Sequence, residues 1–271
     1  MRDDRSGRRS VLDVGGFTDV DARDAGAYIR YLDAGAGGRQ PGKAASYVAQ
    51  GIGPGMAVLD LGCGLGDDVR ALAALVGPAG RVAGVDSSRA MVAEAIRRGV
   101  PSNAEVVAAS AYALPFAETT FVACRAERVL QHLERPDDAV DELRRVLKPG
   151  GSLIVIDHDW ESLAVSGGDP VLTRRIVSAF AESFASGSVG RDNAAIMRRA
   201  RFRDVDASGG VTSLPFEPAR TFVLLPAMAF AAARGDITSE EADAWIASLD
   251  AAERRGEFAY AVSAFAVIGR R

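Results

Sequence analysis

At 271 residues, 48% of them hydrophobic, the chain can bury one sizeable core, or one core plus a cap. A formal net charge of -4 argues against a dedicated nucleic-acid binder, which needs a concentrated basic face against phosphates. Two cysteines, Cys63 and Cys124, support neither a disulfide framework nor a metal cluster, so no metal is expected.

Residues 1 to 19 open with Arg2, Arg5, Arg8 and Arg9 mixed with Asp3 and Asp4, carry no apolar signal run, and read as a disordered tail. Residues 20 to 51 read as two cap helices, with Tyr28 and Tyr31 as candidates for contact with a ring-bearing acceptor. The first strand, near 56 to 61, runs into Val58-Leu-Asp-Leu-Gly-Cys-Gly-Leu-Gly-Asp-Asp68. Gly62, Gly64 and Gly66 remove the Cβ atoms that would hold a ligand away from the backbone. A dinucleotide fingerprint needs a third glycine where Asp67 stands, and no Lys-Ser/Thr pair follows as in a phosphate loop. Asp60 and Asp67 would repel a pyrophosphate and suit a cationic cofactor.

Alternating strands and helices follow, the pattern of a parallel sheet covered on both faces. Helices are expected near 67 to 76, 88 to 98 and 136 to 146, and strands near 81 to 86, 104 to 108, 120 to 125 and 151 to 157. The second strand ends in Asp86, 20 positions after Gly66, where a carboxylate can accept from both hydroxyls of a ribose. Lys148-Pro-Gly-Gly151 reads as a structural turn into the fifth strand. Segments 169 to 200 and 217 to 254 supply further cap helices, and strands near 203 to 211 and 258 to 268 close the sheet. Ile176, Phe180 and Phe184 recur every four residues, a spacing that fits either the roof of a pocket or ordinary core. The apolar run Phe222 to Ala233 is broken by Pro226 and is too short for a bilayer, so a cytoplasmic protein without a membrane span is expected. The basic group Arg198, Arg199, Arg201 and Arg203 lies among Asp192, Asp204 and Asp206 and reads as a solvated surface.

The glycine loop, Asp86, Leu114-Pro-Phe116, Val129-Leu-Gln-His-Leu133 and Lys148-Pro-Gly-Gly151, in that order, resemble the class I S-adenosylmethionine (SAM)-dependent methyltransferases of the ubiquinone/menaquinone methyltransferase-like group. The resemblance is close over roughly residues 45 to 160. It implies an α/β, Rossmann-like, seven-stranded and mostly parallel sheet with helices on both faces and a helical cap, the last strand antiparallel. Residues 52 to 271 would then form the SAM-binding domain.

The resemblance also implies SAM as cofactor, with Asp60, Gly62, Cys63, Gly64 and Gly66 at its methionine portion, Asp86 and Ser87 at its ribose, and Met91 over the adenine or in the core. Ser110 stands where the family usually has an adenine-binding Asp, with Ala111 beside it, and Arg125 at the end of the fourth strand joins the cofactor set. The loops holding His132 and His158 border the acceptor pocket, with Asp159 flanking His158 and Trp160 and Phe180 as acceptor walls. Histidine, with an ordinary pKa near ~6.5, suits deprotonation of a hydroxyl, and a positioning role without proton transfer stands beside that reading.

The expected activity is methyl transfer to a small molecule of specialised metabolism such as antibiotic biosynthesis, with a hydroxyl as the preferred acceptor. N- or C-methylation, a SAM-fold cyclase without methyl transfer, and a non-catalytic SAM-binding partner subunit are the alternatives. No nucleic-acid partner is expected, and a homodimer is left open.

Overall fold

The computed structural model describes residues 40–271 together with Gly26, Ile29, Arg30, Leu32 and Asp33, which are helical. The expected tail and both candidate tyrosines, Tyr28 and Tyr31, lie outside the described residues.

From α1 (Gln40–Ala49) the chain alternates through β1 (Ala57–Leu61), α2 (Asp67–Val76), β2 (Arg81–Asp86), α3 (Arg89–Arg97), β3 (Ala104–Ala108), β4 (Phe121–Glu127), α4 (Pro136–Val146) and β5 (Leu147–Val165). Then come α5 (Pro170–Glu182), α6 (Val189–Arg199), β6 (Arg203–Ser213), α7 (Phe216–Ala219), α8 (Leu225–Arg234), α9 (Ser239–Arg255) and β7 (Tyr260–Arg270). The strands form one sheet in the order β3-β2-β1-β4-β5-β7-β6. β7 runs antiparallel to both neighbours, and the pairings among β1 to β5 are parallel.

Local chemistry sets the helix ends. Ser88 caps α3 by accepting from Met91 N at 3.1 Å. Asp169 caps α5 by accepting from Val171 N and Leu172 N, with Pro170 opening the first turn. Thr238 and Glu241 form a reciprocal capping box at α9. Arg220–Leu224 form a π-helical turn between α7 and α8, ahead of Pro226, whose missing N–H cannot support a regular turn.

The sheet buries both faces. Val58, Val69, Leu72, Val82 and Ala123 pack on one side, with Tyr47 of α1, while Leu59, Leu61, Leu143, Val155 and Met197 pack on the other. A second core lies under the cap, built from Trp160, Leu163, Ile176, Phe180, Phe184, Met228 and Trp245.

β5 extends well beyond the strand that the sequence pattern predicts. After pairing with β4 through Ile156 it continues along β7, slips register between Asp159 and Ala164, and resumes at Ala164↔Ala261. That slip turns Trp160 and Leu163 out of the ladder and into the cap core, and it breaks the alternation by which a strand is read. Lys148–Gly151 also slip out of register with β4, and Gly150 has φ +77°, in keeping with the expected turn.

Candidate active site

The carboxyl ends of the parallel strands bring the glycine loop, the end of β2 and the β4 and β5 loops together, where open α/β sheets bind ligands. Gly62, Gly64 and Gly66 all have left-handed φ, at +70°, +49° and +78°. The loop's amides are satisfied within the protein. Gly62 N and Cys63 N donate to Val85 O at 2.7 and 2.9 Å, Gly64 N donates to Asp86 Oδ2 at 2.9 Å, and Gly66 N donates to Cys63 O. These four donors are therefore not aimed at a phosphate. What lines the loop instead is carboxylate.

Asp60 is 2% exposed, and its Oδ2 meets no hydrogen-bond donor among the described residues. Burial pushes its pKa up, against the pull of Arg125. An orphaned acceptor below a loop stripped of Cβ atoms fits a cationic cofactor such as SAM. Asp86 also accepts from Ser88 N at 2.9 Å, so its carboxylate is held at the mouth of the loop. Leu32 approaches from above, its Cδ1 3.8 Å from where a Cβ on Gly64 would stand, and Asp33 forms a bidentate pair with Arg98 at 2.6 and 2.9 Å.

The other expected cofactor residues differ in burial and in their partners. Arg125 is fully buried beneath the loop, where it pairs with Asp68 at 2.9 Å, Glu127 at 2.8 Å and Asp60 at 3.3 Å. Its guanidinium also lies 4.9 Å from the centre of the Tyr47 ring. Its place is therefore structural support for the loop. Met91 is 1% exposed within the buried face of α3, its core alternative. Cys63 turns its side chain into the core, where burial and nearby carboxylates push the thiol pKa up, and only its backbone belongs to the loop. Ser87 and Ser110 are exposed, Ser110 Oγ accepting from Tyr112 N, and Ala111 is buried beside Leu114 in the core.

At the acceptor side, Trp160 and Phe180 belong to the cap core. Trp160 stacks on Phe184 with ring centres 5.2 Å apart and meets Phe180 edge-on at 5.1 Å. His158 lies against Trp160, ring centres 4.8 Å apart. Asp159 is buried in a bidentate pair with Arg191 at 2.5 and 2.6 Å. It holds α6 to β5. A surface cavity of about 690 Å³ opens beside Phe184, Ser186 and Val189.

His132 ends the 3-10 turn Leu130–His132, and Gln131 fixes its state. Trp160 Nε1 can only donate, and it reaches Gln131 Oε1 at 3.2 Å. The Gln131 amide nitrogen therefore faces His132 Nε2 at 3.1 Å and donates to it. This network assigns the imidazole proton to Nδ1. Burial and the charge of Arg128 push the His132 pKa down to about 4. A neutral imidazole whose basic lone pair already accepts a hydrogen bond is poorly placed to take a proton from a hydroxyl.

Asp157, which flanks His158 in sequence as Asp159 does, and Arg128, which the sequence reading passed over, also shape this region. Asp157 is fully buried, accepts from Asn193 Nδ2 at 3.2 Å and more weakly from Gln131 N at 3.4 Å, and burial pushes its pKa up to about 7. Arg128 adopts φ +58° just after β4. Neither carries a motif, because the first depends on a partner 36 residues away and the second on backbone shape.

The strand order, the antiparallel last strand and the acid-lined glycine loop match the Rossmann-like fold of the SAM-dependent methyltransferases. In agreement, residues 59–155 match the family described as "Methyltransferase domain". The chain is 40% identical over 152 residues to an uncharacterized 37.1 kDa protein in transposon TN4556 of Streptomyces fradiae, covering 55% of this chain and 44% of that protein. It is 34% identical over 128 residues to the ubiquinone/menaquinone biosynthesis C-methyltransferase UbiE of Ectopseudomonas mendocina, covering 46% and 48%. Each match thus spans less than half the length of the curated relative. In fold it resembles a crystal structure of a methyltransferase from Bacillus halodurans, with TM-score 0.58 and 17% identity over 84% of this chain and 97% of that one.

Among the described residues no helix is long and apolar enough to cross a membrane, and no group of three or more His, Cys, Asp or Glu is placed to hold a metal ion.

Proposed function

We propose that this protein transfers the methyl group of SAM to a small, ring-bearing organic acceptor, with carbon favoured over a hydroxyl as the acceptor atom. The observation that carries the reading is the glycine loop with Asp60 orphaned beneath it and Asp86 at its mouth. When bound, SAM supplies a sulfonium-activated methyl carbon open to in-line displacement. The protein's part is positioning and exclusion of water, which can supply much of the rate in such a displacement. Asp86 would hold the ribose, and the described N-terminal helical residues, tied down through Asp33 and Arg98, would cover the loop. On the acceptor side, the His132 ring centre lies 5.4 Å from that of Phe184, which also borders the surface cavity.

Carbon is favoured because His132 is neutral and already accepting a hydrogen bond, and because the UbiE relatives are named as C-methyltransferases. A specialised-metabolite acceptor remains part of this proposal. The test is incubation with methyl-deuterated SAM and a metabolite extract of the source organism, read by tandem mass spectrometry. Label on a ring carbon is the expected result. Label on oxygen would restore the hydroxyl reading, and bound SAM with no labelled product would shift the assignment to a cyclase or to a non-catalytic partner subunit.

Replacing Asp86 with alanine should weaken SAM binding by about 1.5 to 3 kcal/mol, the range for hydrogen bonds to a charged group. Calorimetry showing wild-type affinity in that variant would remove Asp86 from the site.

A further inference from the structure

We infer that Arg128 binds an anionic group, a carboxylate or an oxyanion, on a ligand seated between the glycine loop and the β4 and β5 loops. The inference rests on the SAM reading and adds the charge of what the site holds. Arg128 directly follows β4, at the strand edge where ligands bind in such sheets. Its amide donates to Ile156 O at 2.6 Å, and its φ of +58° is one that side chains with a Cβ rarely adopt. The other described non-glycine residues with positive φ, Thr119, Arg201 and Asp204, lie away from the carboxyl ends of the parallel strands.

This backbone shape is held by packing. The next residue, Val129, places Cγ2 only 2.3 Å from where a Cβ on Gly62 would stand, so the turn at Arg128 presses directly on the cofactor loop.

The guanidinium is what the protein leaves uncompensated. Arg128 is partly buried, its Nε is shielded from water without a hydrogen bond, and its side chain makes no ion pair among the described residues. Arg125, three residues earlier, has three carboxylates around it. The charge of Arg128 is felt by both His132 and Asp157, so its guanidinium lies near these two residues. A partly buried, unpaired cation on a strained backbone persists where a ligand supplies the counter-charge. That charge comes from one of two sources, the amino-acid carboxylate of the cofactor or an acidic group on the acceptor.

The test uses the full chain with Arg128→Gln, Arg128→Lys and Arg128→Gly. Calorimetry with S-adenosylhomocysteine is set beside methylthioadenosine, which keeps the adenine, ribose and thioether but lacks the carboxylate. Benzoate, followed by tryptophan fluorescence, probes the acceptor side. A loss of about tenfold or more in S-adenosylhomocysteine affinity in the Gln variant, with methylthioadenosine unchanged and partial rescue by Lys, assigns the anion to the cofactor. Unchanged S-adenosylhomocysteine affinity with benzoate binding lost assigns it to the acceptor. In either case Arg128→Gly, which relieves the backbone, should melt at or above the wild-type temperature. If the Gln variant binds both probes as the wild type does, or if benzoate binds neither protein while S-adenosylhomocysteine affinity is unchanged, the inference is overturned. Failure of the wild type itself to bind S-adenosylhomocysteine would instead overturn the SAM reading.

Discussion

Replacing Gly62 with alanine is expected to abolish measurable SAM binding and to destabilise the fold by about 2 to 6 kcal/mol. Two costs combine. A non-glycine residue at φ +70° carries about 1 to 3 kcal/mol of backbone strain. The new methyl would stand 2.3 Å from Val129 Cγ2, and forcing it into that packed contact adds about 1 to 3 kcal/mol. Gly64→Ala is the internal comparison, because its Cβ would meet nothing nearer than Leu32 Cδ1 at 3.8 Å and only the backbone cost applies. The steric share should be recovered by adding Val129→Ala to the Gly62 variant, with the backbone share remaining. Thermal melts and S-adenosylhomocysteine titrations of the four proteins decide the matter, and a Gly62→Ala protein that melts and binds like wild type would show that the loop is not held against Val129.

Asp157 and His132 should tilt the stability of the protein in opposite directions with pH. An unfolded Asp releases its proton near ~3.9, whereas folded Asp157 keeps it to about 7. Between those values the folded state binds the extra proton, so stability falls as pH rises, by at most about 1.4 kcal/mol per unit, and levels off above the folded value. His132 works the other way. Unfolded it charges near ~6.5, and folded it stays neutral down to about 4. In that window the unfolded state binds the extra proton, so stability falls as pH drops, again by at most about 1.4 kcal/mol per unit. The two slopes nearly cancel from about pH 4 to 6.5, so the wild type should be almost flat there with respect to this pair. Asp157→Asn, which keeps an acceptor for Asn193, should expose the His132 slope and become more stable as pH rises. His132→Gln should become less stable over the same range. Urea unfolding at pH 4.5, 5.5 and 6.5 measures both, and pH curves parallel to wild type in both variants would refute the assigned ionisation states.

The candidate cofactor loop is legible in the sequence because its residues are local. Three glycines, the acids around them and Asp86 at the end of a strand lie within 27 residues, and the alternation of apolar strands and helices carries the sheet. The acceptor side is not local. Trp160 and Phe180 have the residue types of a pocket wall, but the register slip in β5 and the helical spacing of Ile176, Phe180 and Phe184 put them in the cap core. Arg125 has the position of a ligand-binding residue, and only the fold reveals the carboxylates of Asp60, Asp68 and Glu127 packed around it. His132 has the residue type of a base, yet its tautomer depends on Gln131 and Trp160, the second of them on another strand. In each case side-chain chemistry was visible in the sequence, while the partner that directs it was brought in by the fold.

The cap has no hinge of its own at β5. One uninterrupted chain segment, the 19 residues Leu147–Val165, starts in the floor of the sheet beside β4 and ends hydrogen-bonded to β7 beneath the cap helices. Hydrogen exchange should therefore find the ladder amides on either side of the register slip, from Ser152 to Asp159 and at Ala164 and Val165, opening together as one cooperative unit that couples the sheet floor to the cap core. For an engineer this means that the roof cannot be exchanged as a detachable module. Changes to the cap have to be written residue by residue into α5, α6 and the loop between them, while the shared strand is left intact.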